Sequence, residues 1–323
     1  MNKWRCVSIA FIGLLGLQQA VLAQDTYPSR VVRIIVPTAA GGGGDTLARM
    51  VAQGLSELWG KQVITDNRTG ASTMIGGAIV AKAPPDGYTL LQGLATLATN
   101  PATSKNVPYD ALRDLAPITQ LISIPNIVLS HPSVPVKSAR EMIAFAKTRP
   151  NQLLFASAGT GTSTHLALEL FCTMGKVRMG HVPYRSAGPA MTALLGGEVA
   201  MLATNMIYGL PYARNGKLRA LGVTSLQRVA IAPDIPTIAE SGLTGFEAEQ
   251  WYGLLAPAGT PREIINKIYR DATAIVTSAA TRERLSRDGG VTVASPPEAF
   301  AALIRTETIK WAKVAKAAGI KPE

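Results

Sequence analysis

The sequence is poor in the residues that most chemistry needs. Of 323 residues only two are cysteine, Cys6 and Cys172, and only three are histidine, His131, His165 and His181. Two cysteines, one of them in the N-terminal segment, build no disulfide framework. Cys172, inside Leu168-Glu169-Leu170-Phe171-Cys172, reads as a small buried apolar group rather than a nucleophile. The histidines never stand three or four residues apart, and no acidic cluster accompanies them, so no metal site is expected. Aromatic residues make up 6% of the chain. Basic residues are scattered, without runs and without aromatic residues between them, which speaks against nucleic-acid binding. No apolar stretch beyond the N-terminus is long enough to span a bilayer.

What is present begins with an export signal. Lys3 and Arg5 precede an apolar run from Cys6 to about Leu17, followed by Val21-Leu22-Ala23, which predicts cleavage after Ala23. Cys6 stands at the wrong end of that run to be lipidated. Loss of Lys3 and Arg5 lowers the formal charge from +11 by two, and the remaining excess favours an anionic ligand. The mature chain, about 300 residues, exceeds what one core usually serves, so two lobes are expected.

The mature sequence alternates strands and helices. Val31 to Val36 is almost wholly β-branched, as in a strand covered on both faces. A glycine-rich stretch, Thr38 to Gly44, follows Pro37. Asp45 then opens a helix with apolar residues at Leu47, Met50, Val51, Leu55 and Leu58. Strands are expected at Gln62 to Asp66 and Thr89 to Gln92. After Pro125 the pattern restarts with strand Ile127 to Leu129 and a helix opened by the capping box Ser138/Glu141. Strand Leu153 to Ala156 runs into Ser157-Ala158-Gly159-Thr160-Gly161-Thr162 and a helix containing His165. Further strands are expected at Gly180 to Val182, Val199 to Ala203, Leu218 to Val223 and Trp251 to Ala256. Caps at Thr260 and Ser295 begin the C-terminal helices, which are expected on the first lobe. The resulting fold is α/β, with residues 24–124 and 246–323 in one lobe and 125–245 in the other.

A glycine turn between a strand and a helix start exposes N–H groups that no helical carbonyl satisfies, where the helix dipole favours negative charge. Two such turns, Ala39 to Gly44 and Ser157 to Thr162, could hold the two ends of a dicarboxylate. Cofactor readings fail on spacing. Gly42 and Gly44 lack the third glycine of a dinucleotide fingerprint because Leu47 stands there. Gly216-Lys217-Leu218 lacks the hydroxyl residue of a phosphate loop. Phe155 stands where a nucleophile elbow around Ser157 would need glycine. No cofactor is expected.

Longer motifs carry a resemblance. Val36-Pro37-Thr38-Ala39-Ala40-Gly41-Gly42, Asn67-Arg68, Ala83-Pro84-Pro85-Asp86-Gly87-Tyr88, Ser157-Ala158-Gly159-Thr160-Gly161, His165-Leu166-Ala167, Val182-Pro183-Tyr184, Pro233-Asp234-Ile235-Pro236-Thr237 and Trp251-Tyr252-Gly253-Leu254-Leu255-Ala256-Pro257 follow in order along nearly the whole mature chain. Together they resemble the Bug family of tripartite tricarboxylate transporter receptors. The resemblance implies a two-lobe, type II "Venus flytrap" periplasmic binding protein with a ligand cleft between lobes, hinged near Ile122 to Pro125 and Phe246 to Gln250. It implies a small carboxylate ligand, membrane transporter subunits as partners, a monomer, and no enzymatic activity. First-lobe contacts carried over by motif are Thr38, Ala39, Ala40 and Gly41, with Thr96 and Asn100 from the loop after the third strand. Second-lobe contacts are Ser157, Gly159, Thr160 and Thr162, with Tyr184 and Thr204. Thr38 departs from the family's aromatic residue, and Ala200 and Thr204 stand where relatives often carry aspartate. Those departures suggest a ligand without an ammonium group. The competing readings are a ligand-sensing receptor and a serine hydrolase using Ser157.

Overall fold

A computed structural model describes residues 27–287 and 289–322; the expected signal segment lies outside them. The first strands and helices alternate: β1 Val32–Val36, α1 Gly43–Trp59, β2 Val63–Asn67, a 3-10 turn Ala71–Thr73 leading into α2 Met74–Ala81, β3 Thr89–Leu94, α3 Thr96–Thr103 and β4 Leu115–Ile124. A second series follows: β5 Asn126–Ser130, α4 Ala139–Lys147, β6 Leu154–Ser157, α5 Ser163–Gly175, β7 Gly180–Pro183, α6 Ala187–Leu195, β8 Met201–Asn205, α7 Met206–Arg214 and β9 Arg219–Val223. The chain closes with β10 Gln250–Pro257, α8 Arg262–Thr277, α9 Ala279–Arg287, β11 Val291–Thr292 and α10 Pro297–Ala317.

These strands form two mixed sheets, ordered β11-β4-β10-β3-β1-β2 and β7-β6-β8-β5-β9. The strand β4, ten residues long, is not among the strands expected from sequence. Pro117 masks it, because proline is tolerated in a sheet only at edges and bulges. The ladder with β10 indeed shifts register there, Leu254 facing Thr119 and Leu255 facing Pro117.

Side-chain alternation sorts the first sheet's core. Val32, Ile34 and Val36 face α1 and α8, while Ile35 and Leu91 face the cluster containing α2, α3 and α10. That second cluster does not stop at the first sheet. It continues from Phe300 and Ile304 of α10 to Leu166, Leu170 and Phe171 of α5. The last helix therefore packs on α5 as well as on α3, whereas the sequence suggested the first lobe alone.

Local signals were mostly honoured, with exceptions. Ser138 caps α4 through Glu141 N–H at 3.2 Å. Thr260 does not cap α8; its hydroxyl donates to the Pro257 carbonyl. Ser295 accepts from Gln120 N–H and joins α10 to β4.

Candidate functional site

Strand direction brings the candidate loops together. In the first sheet β1, β2, β3 and β4 end on one edge, where β10 begins: Gln250 pairs with Ile124 and Tyr252 with Leu94. In the second sheet β6, β7, β8 and β9 end on the edge where β5 begins, Asn126 lying opposite Asn205. Only Pro125 separates β4 from β5. The carboxyl edges of the two sheets therefore adjoin, and all the turns following those strands lie along them. Contacts cross between them: Gln250 Nε2 donates to Ser163 Oγ at 2.9 Å, and a Cβ on Gly161 would stand 3.3 Å from Thr103 Cβ.

On the first edge, Thr38 is half-buried while Ala39, Ala40 and Gly41 are exposed. The helix α1 begins after Gly42 with no side-chain cap, so the amides of Gly43 and Gly44 keep the unsatisfied character of a helix start. Asp45 stands inside the first turn rather than at the cap. Its carboxylate accepts from Gly41 N–H (2.9 Å), Arg49 Nε (2.9 Å) and Asn67 Nδ2 (3.0 Å). Arg49 above all, with the Gly41 and Asn67 bonds, pulls its pKa down to about 2 against the penalty of burial. Gly41 is thus no free donor: its N–H holds the loop to the helix. Asn67 Nδ2 also reaches the Thr38 carbonyl at 2.9 Å, and Gln92 Nε2 holds the Gly44 carbonyl at 2.7 Å. Thr38 Oγ1 and Gln92 Oε1 are buried without a partner among the described residues. Both approach the face of Gly44, where a Cβ would also meet the Tyr252 ring at 2.9 Å.

Thr96 and Asn100 lie on α3, not in a loop. The Thr96 hydroxyl pairs with Thr73 Oγ1 at 2.6 Å, and Asn100, itself 2% exposed, donates from Nδ2 to the Ser72 carbonyl at 2.9 Å. Both hold the turn that leads from β2 into α2. From Gly70 through Ala71 and Ser72 to Thr73 every φ is positive, at 124°, 44°, 50° and 74°. For a β-branched residue such as Thr73 that conformation is strained, and it persists only where neighbours fix it.

The second glycine turn is closed on itself. Ser157, fully buried, accepts from Gly159 N–H at 3.1 Å and lies 2.7 Å from His181 Nε2. Thr162 donates to the Gly159 carbonyl at 2.7 Å and caps α5 by accepting from His165 N–H at 3.3 Å. Ala158 N–H reaches Thr164 Oγ1, Gly161 N–H reaches His165 Nδ1, and Thr162 N–H reaches the Gly159 carbonyl. The hydroxyls of Ser157 and Thr162, expected to face a ligand, brace the turn instead. Thr160 is the exposed residue at its tip.

The remaining expected contacts are less exposed. Tyr184 is half-buried against the core cluster that contains Met191, Leu194 and Leu202, and burial together with Glu198 raises its pKa. Thr204 is 1% exposed beneath α7, where its methyl group would meet a side chain at Gly209. Ala200 precedes β8 at the opposite edge, its N–H bonded to the Leu154 carbonyl. Its side chain therefore says nothing about the ligand, contrary to the expectation from sequence.

A recess of about 980 Å³ lies at the far edge of the first sheet, around Tyr27, Trp59 and Tyr88. Its aromatic groups are already engaged: Tyr27 donates to the Gly87 carbonyl and Trp59 Nε1 to Asp271, and the rings stack edge-on.

Comparison with known proteins matches residues 47–320 to the tripartite tricarboxylate transporter family receptor. The chain belongs to that family. BugT of Bordetella pertussis is 35% identical, with 99% of each chain covered. A solved R. palustris protein with adipate is 35% identical and superposes with a TM-score of 0.76, covering 92% of this chain and 100% of that one. MatC from Rhodopseudomonas palustris with bound malate is 30% identical with a TM-score of 0.72, covering 90% of this chain and 100% of that one. This receptor is accordingly an α/β periplasmic solute-binding protein of the two-lobe kind.

Proposed function

We propose that the receptor captures a small carboxylate without an ammonium group between its two sheets and delivers it to the membrane subunits of a tripartite tricarboxylate-type transporter. The observation that carries this is the uncapped start of α1, set on an exposed glycine turn at the edge that adjoins the second sheet. Free amides and a helix dipole recognise negative charge and carry no side-chain code for the rest of the ligand. Its similarity to proteins solved with adipate and malate supports the same chemistry. Of the acidic groups at the turn, Asp45 is engaged by Arg49, Gly41 and Asn67, so it is not offered to a ligand amine.

In this reading residues 24–124 and 246–323 form one lobe and 125–245 the other. The chain is exported by cleavage after Ala23 and works as a monomer in the periplasm, without chemistry on its ligand. The crossings near Ile122 to Pro125 and near Phe246 to Gln250 act as the hinge; beside them Asn126 N–H donates to Thr224 Oγ1 at 2.8 Å, and Ala248 N–H donates to the Thr224 carbonyl at 3.0 Å. Closure excludes water around the anion and adds the tip of the second turn to the contacts of the first. The contact of Ser157 with His181 is the one feature that suits a hydrolase, but that hydroxyl is buried and bonded within its own turn.

Thermal unfolding with adipate, malate, benzoate and aspartate tests the proposal, since a ligand of the native state raises its stability by mass action. A rise with a plain carboxylate, and a smaller or absent one with aspartate, is expected. Stabilisation by aspartate alone would contradict it.

A further inference from the structure

Beneath the second glycine turn two imidazoles are stacked, their ring centres 3.7 Å apart and their planes 17° from parallel. His165, 2% exposed on α5, accepts Gly161 N–H at Nδ1 with a 3.0 Å separation. The proton of the neutral ring therefore sits on Nε2, which lies 3.3 Å from Glu169 Oε1. His181, on the edge strand β7, reaches Ser157 Oγ at 2.7 Å, and that same oxygen accepts Gly159 N–H. Phe155 stacks on His181 from the neighbouring strand β6, at 5.1 Å between ring centres. Each imidazole thus governs one of the two glycines of the turn, His165 directly and His181 through Ser157. Gly161 is also the point at which this turn meets Thr103 of the first unit.

We propose that His165 and His181 are positioning residues which fix the second glycine turn in its shape for closure only while both rings are neutral. A proton on His165 Nδ1 would remove the acceptor of Gly161 N–H. A proton on His181 would place a charge face to face with the neighbouring ring. The groups facing His181 are His165 and, beyond it, Glu169 on α5, with Ser157 and Phe155 on β6. Cys172, one turn further along α5, has its thiol pushed up to about 12 chiefly by burial, so it stays uncharged. Burial first, and the neighbouring His165 second, lower the His181 pKa to about 4. His181 consequently stays uncharged through the neutral range. The stability this contributes is full above the ordinary imidazole value and disappears as pH falls through about 4.

The test uses the ligand-free protein, so that it does not depend on the carboxylate reading. Nitrogen-15 spectra from pH 7.5 to 3.5 should place the His165 proton on Nε2 at neutral pH. The amides of Gly159 and Gly161 should shift together with the protonation of His181. His165→Asn, whose carboxamide oxygen can stand near the Nδ1 position, should keep Gly161 protected from hydrogen exchange. His165→Gln and His165→Ala should raise its exchange about tenfold, the value of one lost hydrogen bond. Should the alanine variant not fold, the Asn and Gln pair and the wild-type titration decide the matter. Glycine amides indifferent to the His181 titration, or Gly161 equally protected in Asn and Gln variants, would overturn the proposal. Adipate and malate titrations of the same variants at pH 7.5 separate the two ideas. Coupled glycines without carboxylate binding leave the brace standing and count against the transport reading; carboxylate binding without coupled glycines does the reverse.

Discussion

The two glycine turns look alike in sequence and differ in what they offer a ligand. Each joins a buried strand to a helix start, yet the first leaves α1 uncapped while the second caps α5 with Thr162. In the first, the bracing comes from behind, through Asp45, Asn67 and Gln92, and the amides of exposed Gly43 and buried Gly44 have no hydrogen-bond partner among the described residues. In the second, the N–H groups of Ala158, Gly159, Gly161 and Thr162 are all used within the lobe. The lesson is that glycine between strand and helix permits an anion site without making one; the bonds of the neighbouring side chains decide. The first turn reads as the charge-recognising surface and the second as a pre-shaped cover. The two turns are therefore not equivalent in their bonding, one helix start being uncapped and the other capped.

That difference can be probed from its largest expected effect downward. Asp45→Ala removes a buried carboxylate with three partners and should destabilise the protein by about 3 kcal/mol in urea unfolding. The Asp45 contribution is full above its ordinary value near 3.8 and lost as pH falls toward about 2, so the wild type and variant curves should converge in acid.

The two crossings between the sheets differ too. Glu249, in the return crossing, has its pKa raised to about 8, first by burial and then by Glu247 and Glu307, which outweigh Lys310. A raised carboxyl disfavours the folded state as pH climbs from its ordinary value through about 8. Glu249→Gln should therefore stabilise the protein at pH 8, by about 2 kcal/mol after allowing for partial solvent contact, with little change at pH 4. Thermal melts at the two pH values check the sign.

A smaller effect separates the turns directly. Gly42 has φ of −78° and ψ of 168°, a conformation any cap residue adopts, and the nearest atom to an added Cβ is 3.5 Å away. Gly42→Ser should cap α1 and stabilise the protein by about 0.3 kcal/mol, while competing with a carboxylate for the same amides. Thr162→Ala, in the second turn, should instead cost about 1 kcal/mol through loss of an existing cap. Paired melting and adipate titrations read both.

Much of the fold was legible because its signals are local. The β-branched run of β1, the glycine turns and the capping box at Ser138 each announce themselves over a few residues. The strand β4 was not legible, since Pro117 argues against a strand unless the bulge opposite it is known. Nor was α3, where Pro101 sits inside eight residues with few apolar ones. The left-handed turn at Ser72 and Thr73 has only Gly70 to advertise it, because its other residues rarely take that conformation. Within the candidate site, the residue types were readable but not their engagement. Ser157 finds His181 24 residues away, and Ala200 and Thr204 could be assigned to opposite ends of a strand only once its bounds were known.

The most direct measurement is an adipate titration of the nitrogen-15-labelled receptor followed at single amides. On the present account Gly43 and Gly44 show the largest downfield shifts, Thr160 responds as the tip of the cover, and Gly159 and Gly161 move little because their N–H groups already have partners. Large shifts at Gly159 and Gly161, with Gly43 and Gly44 unmoved, would contradict it.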